Sequence, residues 1–294
     1  MTLQHWILAI RPKTLPASIS PIILGSSLAH YDGRFNLWVF LLALLCALAL
    51  QVAVNLANDL LDSKSGVDSE KRLGPKRVTQ SGLISEYKIK VALGIACSLS
   101  IVSGLSLVWL SNPILLLCGF ASLLAVFAYS GGPKPLANIA MGEAMVLVFF
   151  GWLAVGGTYF VHANEVSWLA FGFGTIAGLM SAAIMLVNNL RDIPTDSVAG
   201  KVTLAVVLGE KRSRILYSVM LVCALILHGY LSIYILALDW VNLWPLIVAS
   251  VISARLIQKI YKRHGAELNS QLAATAKLEL IYCVTVGMVL WALA

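Results

Sequence analysis

The sequence predicts an all-α polytopic membrane protein with about nine transmembrane helices. Three observations carry that reading. Of 294 residues, 59% are hydrophobic and only 12% charged, whereas a soluble domain has roughly 45–50% apolar and about 25% charged residues. The mean hydropathy is +0.86. The apolar residues also fall in long, nearly uncharged blocks, each able to cross a hydrocarbon core of about 30 Å as a helix.

The predicted spans are 14–31, 37–56, 89–110, 113–129, 140–161, 167–189, 214–237, 240–260 and 274–293. The first follows Arg11 and Lys13 and contains Pro16 and Pro21, which predict a bend or break lining a cavity. The second is apolar until Gln51. The third follows Lys88 and Lys90, and the fourth opens at Pro113. Gly142 and Glu143 stand at the start of the fifth, a costly place for an acid unless it caps the helix or lines a pocket. The sixth ends on Asn188 and Asn189. The last three show little beyond their hydropathy. No separate soluble domain fits around these spans, so residues 1–294 read as one transmembrane domain.

The formal net charge of +7 does not predict a nucleic-acid partner, because the basic residues sit in short loops rather than on one face of a soluble module. Every Lys and Arg except Arg34 falls on the side of the N-terminus. Basic loops stay inside, so the N-terminus and any active face are expected at the cytoplasm, in a cytoplasmic (inner) membrane. The five cysteines lie inside apolar blocks without a close pair, which excludes a disulfide framework, a zinc site or a CxxC redox motif. Residues 1–11 lack the parts of a cleaved signal peptide. The five histidines are scattered and form no metal motif.

Two polar clusters end even-numbered spans. The first reads Gln51-Val-Ala-Val-Asn55-Leu-Ala-Asn58-Asp59-Leu-Leu-Asp62 and continues to Gly66 and Asp68; the second reads Asn188-Asn189-Leu-Arg191-Asp192-Ile-Pro-Thr-Asp196 and continues to Lys201. Each has an Asn, an Asp four residues on, and a further Asp three or four beyond. Such positions share a helix face, so each cluster is expected to stack oxygen ligands along one stripe. Solvated helix ends are the plain alternative, but two matched clusters at one face, partly within apolar spans, favour function.

Oxygen donors without His or Cys suit magnesium, which binds one or two carboxylates together with substrate phosphates. A calcium loop fails, because Lys64 and Leu73 occupy two ligand positions. Two magnesium ions between the clusters would let an acidic site accept a diphosphate. Lys71, Arg72, Lys76, Arg77, Arg191 and Lys201 are available to add positive charge. A magnesium-diphosphate site at a membrane face fits a lipid diphosphate whose tail lies among the helices.

At these residues the chain resembles the UbiA superfamily of intramembrane aromatic prenyltransferases. Asn58-Asp59-x-x-Asp62 and Asp192-x-x-x-Asp196 match its two Asp-rich motifs. The third acid of the first motif is displaced to Asp68 by an insertion around Gly66, and Leu60 stands where many relatives have an aromatic residue. Further stretches resemble the branch that prenylates 1,4-dihydroxy-2-naphthoate on the way to menaquinone. They are Arg11-Pro-Lys-Thr-Leu-Pro-Ala, Asn55-Leu-Ala-Asn-Asp, Arg72-Leu-Gly-Pro-Lys-Arg, Tyr129-Ser-Gly-Gly-Pro-Lys-Pro-Leu, Phe149-Phe-Gly, Gly157-Thr-Tyr and Gly200-Lys-Val-Thr-Leu-Ala.

The resemblance implies magnesium-dependent transfer of a polyprenyl group from its diphosphate to the naphthoate ring, with decarboxylation. It implies metal ligation by Asp59, Asp62, Asp192 and Asp196, helped by Asn55 and Asn188, and a base role for Asp68. Substrate contacts are expected from Arg11, Lys13, Asn55, Arg72, Lys76, Arg77, Tyr129, Lys134, Asn188, Arg191 and Lys201. The expected partners are polyprenyl diphosphate, 1,4-dihydroxy-2-naphthoate and the lipid bilayer; no protein partner is inferred. Another acceptor such as 4-hydroxybenzoate or haem is the alternative within the fold. A secondary anion transporter or a lipid-binding scaffold is the alternative outside it.

Overall fold

A computed structural model describes residues 2–65, 74, 77–129, 131 and 135–294, without the side chains of 62–65. The helices are α1 (Leu3–Ile10), α2 (Leu15–Tyr31), α3 (Leu37–Ser65), α4 (Glu86–Leu110), α5 (Leu115–Ala128), α6 (Gly142–Val146), α7 (Gly157–Ala163), α8 (Trp168–Val198), α9 (Leu204–Tyr230), α10 (Trp244–Ile260) and α11 (Leu268–Leu293). A π-helical segment, Leu147–Gly156, joins α6 to α7 in one rod. Among the described residues, eight helical rods are long and apolar enough to cross a membrane. The helix expected over 113–129 is apolar too, but its 14 residues give a length of only about 21 Å.

Several boundaries move for identifiable reasons. The break in the first rod lies at Arg11, whose left-handed backbone (φ 55°) ends α1. Pro16 falls in the first turn of α2, where the missing N–H costs nothing, and α2 continues through Pro21. Helix α3 runs to Ser65 and α8 to Val198. The polar clusters are therefore the last turns of long helices. Thr203 caps α9, its Oγ1 accepting from Val206 N at 3.3 Å. Gly209 then kinks that helix at φ 73°, which is why hydropathy alone starts the span later.

Helix α8 is the axis of one packed group. Phe173, Ile176, Met180, Leu186 and Leu190 meet Tyr217 and Leu221 of α9, Tyr282 and Val286 of α11, and Leu24 and Leu28 of α2. A second group joins Ala53, Leu56, Ala57 and Leu60 of α3 to Val78, Ile84, Ile89 and Leu93. Helix α5 packs on α3 and α4.

The π segment lies directly on α8. A Cβ on Gly151 would sit 2.5 Å from Gly174 O, and one on Gly178 would sit 2.8 Å from Leu147 O. Small residues at such a contact let backbones approach, as is common between membrane helices. The wider turn of the π segment then presents Phe149, Phe150 and Leu153 to a cavity between the two groups.

Candidate active site

The cavity has a volume of about 470 Å³. Its apolar part is lined by Ala43, Leu107, Leu115, Phe149, Leu153 and Met185, among others, and its polar end by Asn55, Asn58, Asp192, Asp196, Arg77 and Lys201. From Ala43 to Asn58 along α3 the wall runs about 22 Å, enough for an extended hydrocarbon chain beside a polar head. Arg11, Thr14 and Ser18 line it from the start of the chain.

The second cluster follows the expected stripe: Asn188, Asp192 and Asp196 all line the cavity, together with Asn189 and Thr195. Arg191 departs from the expectation. It is buried behind the wall, where Nε donates to Asp192 Oδ1 at 2.8 Å and Nη2 donates to Asp192 Oδ2. Nη1 donates to Asn269 Oδ1 of α11 at 2.6 Å, and Nη2 also reaches Asn188 Oδ1 at 2.9 Å. A residue three positions after Asn188 and one before Asp192 turns off the cavity face, so its charge orients both neighbours instead of touching a ligand there. Lys201 does line the cavity, with Nζ 3.9 Å from Asp196 Oδ1.

The first cluster splits. Asn55 and Asn58 face the cavity, while Asp59 is buried outside its lining. Successive helix residues advance 100°, so a wall centred between 55 and 58 leaves 59 on the flank. Both Asp59 oxygens accept backbone N–H bonds, Oδ2 from Val78 at 3.0 Å and Oδ1 from Thr79 at 2.9 Å. The structure thus corrects the expected single stripe: Asp59 ties the chain after the cluster back onto α3 and sets Arg77, which lines the cavity, in place.

Asn55 Nδ2 donates to Ile10 O at 2.8 Å and Thr14 Oγ1 at 3.0 Å, which fixes its amide. Ser18 Oγ donates to Gln51 Oε1 at 2.9 Å, and Gln51 Nε2 to Thr14 Oγ1 at 3.2 Å. This polar seam was not among the expected contacts. Its signal in the sequence is Gln51 four residues before Asn55 in an otherwise apolar run.

Tyr129 lines the cavity, its hydroxyl 3.3 Å from Met185 Sδ. Lys13 is exposed and absent from the cavity lining. The Asp62 side chain, and Asp68, Arg72, Lys76 and Lys134, lie outside the described residues. Ala140 N donates to Val202 O at 2.7 Å, tying together the connections before α6 and before α9 beside the polar end.

The polar end offers oxygen donors of hard character: Asn58, Asn188, Asp192 and Asp196. Neither oxygen of Asp192 is exhausted by Arg191, since a carboxylate has about four acceptor sites. This donor chemistry fits a hydrated divalent cation shared with phosphate oxygens, although among the described residues no three His, Cys, Asp or Glu side chains gather as a metal cage. Three cations, Arg11, Arg77 and Lys201, line the same cavity, and an anionic head with an apolar tail matches its two ends.

The sequence matches the UbiA prenyltransferase family over residues 18–289. It is 36% identical to the 1,4-dihydroxy-2-naphthoate octaprenyltransferase of Mycobacterium tuberculosis over 96% of this chain and 95% of that protein. It is 38% identical to the Escherichia coli protein of the same name, over 81% of this chain and 79% of that one. Among solved structures, the fold is similar to a UbiA homologue from Archaeoglobus fulgidus bound to DMAPP and Mg2+ (TM-score 0.67, 16% identity, 99% of this chain and 100% of that one). It is also similar to one from Aeropyrum pernix (TM-score 0.69, 15% identity, 98% of each chain). By sequence along most of its length and by fold, the chain belongs to the UbiA prenyltransferase family.

Proposed function

We propose that this protein transfers a polyprenyl group from its diphosphate to 1,4-dihydroxy-2-naphthoate, with loss of the carboxylate, in menaquinone biosynthesis. One observation carries the reading: a single cavity, walled by about 22 Å of α3, joins an acid- and cation-lined polar end to an apolar channel. Relatives named for that reaction are 36% and 38% identical over 96% and 81% of this chain.

Asp192 and Asp196, with Asn55, Asn58, Asn188 and the Asp62 side chain, would hold magnesium, and two ions suit two clusters. Bound there, magnesium neutralises the diphosphate and makes it a better leaving group. Arg11, Arg77 and Lys201 add fixed positive charge, Arg191 keeps Asp192 and Asn188 oriented, and Asp59 keeps Arg77 in place. Oriented charge of this kind stabilises the charge that develops on the leaving group. The apolar walls keep water from the allylic carbon. The C–O bond to diphosphate breaks, and its electron pair leaves with the diphosphate. The ring carbon of the electron-rich naphthoate that bears the carboxylate bonds to the allylic carbon. Loss of carbon dioxide restores aromaticity and leaves a naphthoquinol, whose oxidised form is demethylmenaquinone. Asp68 is the base proposed for the naphthol proton, and Lys76, Arg72 and Lys134 are proposed as further contacts with the anionic groups.

The whole chain acts as one domain in the cytoplasmic membrane, with the polar end facing the cytoplasm. The support is the placement of basic residues, all but Arg34 on the side of the acidic clusters. Purified protein in detergent tests the reaction. Diphosphate release should require prenyl diphosphate, naphthoate and magnesium together, and should be lost in Asp192→Ala and Asp196→Ala. Anion movement across vesicles with no diphosphate release would instead support a transporter.

A further inference from the structure

Glu143 is unused by the mechanism above. It sits in the first turn of α6, inside a membrane-spanning rod, and is only 4% exposed. Its Oε1 accepts from Asn189 Nδ2 at 2.9 Å, and its Oε2 has no hydrogen-bond partner among the described residues. Acids within spans usually pair with a cation or serve function, and a buried oxygen without a partner calls for an explanation. Glu143 shows no salt bridge among the described residues.

Its partner supplies one. Asn189 lines the cavity one helical turn before Asp192, a rise of about 4.5 Å. Because Nδ2 is turned to Glu143, the amide oxygen is the atom left to the cavity, and among the described residues it accepts no hydrogen bond. Tyr129 and Met185 border the same patch. A Cβ on Gly142 would lie 3.7 Å from the Tyr129 hydroxyl, 3.9 Å from Asn189 Nδ2 and 3.9 Å from Met185 Cγ. Glycine therefore lets Glu143 approach Asn189 beside an aromatic ring and a thioether. Flat apolar surface with one fixed acceptor, next to the acidic end, suits an aromatic ring that carries a hydroxyl.

We infer that Asn189 Oδ1 accepts the hydrogen bond of a ring hydroxyl on the aromatic acceptor, and that Glu143 is the positioning residue that turns this amide toward it. The inference rests on the prenyl-transfer reading and names the group that selects the acceptor. Without Glu143 the amide can rotate and offer its NH2, which cannot accept the hydrogen bond that the hydroxyl donates. A site built to bind a hydroxyl discriminates strongly against an analogue that lacks it.

The test compares 1,4-dihydroxy-2-naphthoate with its two monomethyl ethers in wild type, Glu143→Ala, Glu143→Gln, Asn189→Ala and the double alanine variant, at saturating magnesium, with acceptor and prenyl diphosphate each varied in turn. Wild type should prefer the dihydroxy acceptor over one ether by about 100-fold or more in kcat/KM. Glu143→Ala and Asn189→Ala should each cut that preference to below about tenfold and raise the acceptor KM, with the prenyl diphosphate KM within about twofold. Glu143→Gln keeps an acceptor oxygen for Asn189 and should retain most of the preference. The double variant should be no worse than Asn189→Ala, because Glu143 acts through Asn189. An unchanged preference in Asn189→Ala and Glu143→Ala, or additive losses in the double variant, overturns the inference. Failure of wild type to prenylate the dihydroxy acceptor would instead overturn the reaction itself.

Discussion

Arg191 holds both carboxylate oxygens of Asp192, its neighbour in α8, and its remaining donors reach Asn188 and Asn269. Residues adjacent in a helix do not normally face each other. The guanidinium therefore reaches around the helix surface, with α11 as its second anchor. The acid that faces the cavity is thus held by a cation that does not. Removing the cation should harm both fold and metal binding: Arg191→Ala leaves Asp192 buried without its partner, a loss of about 3–5 kcal/mol. Arg191→Lys keeps the charge but not the fork, and should raise the magnesium concentration for half-maximal activity by about tenfold or more. Thermal unfolding and a magnesium titration of diphosphate release check these two outcomes.

Asp59 and Asp196 should separate under the same titration. Asp59→Asn places an amide NH2 against one of two backbone N–H groups, so a charge-assisted bond worth about 1.5–3 kcal/mol is lost and thermal stability falls. Its magnesium midpoint should stay near wild type. Asp196→Asn should shift the midpoint with little change in stability. A midpoint shift in Asp59→Asn as large as that in Asp196→Asn would return Asp59 to the metal site.

The contrast between those two acids shows how far the sequence reads. Spans, polar ends and the α8 stripe follow from hydropathy and a 100° advance per residue. Asn188, Asp192 and Asp196 were therefore legible in advance. Which way Asp59 turns depends on residues 78 and 79 folding back over α3, a contact between chain segments that no spacing rule encodes. Arg191 was legible as a cation near the site but not as a residue facing away, because that depends on Asn269 of α11. The π segment was hidden for a related reason. Its Gly151 contact with Gly174 and Gly178 is a fit between two helices, and hydropathy records only that both are apolar.

That fit is itself testable. Gly178→Ala would put a methyl group against the Leu147 carbonyl and the Gly151 Cα, backbone atoms that cannot rotate away. Overpacking of this kind costs about 1–3 kcal/mol. The melting temperature should fall, and kcat should fall with it as Phe149 and Phe150 shift in the cavity wall.

The path of the prenyl tail can be tested at Gly119 of α5. It lines the cavity, and an added Cβ there meets nothing within 4 Å. A larger side chain should fill the channel and leave the fold intact. Gly119→Leu should keep geranyl diphosphate turnover within about twofold while reducing turnover of a long polyprenyl diphosphate by about tenfold or more, since a filled pocket excludes bulk it once accepted. Equal turnover of both lengths would place the tail elsewhere.

The central claim is the identity of the acceptor, and the mass of the product tests it most directly. Purified protein would be given a polyprenyl diphosphate, magnesium, and equal amounts of 1,4-dihydroxy-2-naphthoate and 4-hydroxybenzoate. The predicted result is a prenylated naphthoquinol without its carboxyl group, formed only with magnesium and absent from Asp192→Ala. Prenylated 4-hydroxybenzoate as the sole product would contradict the assignment of the acceptor.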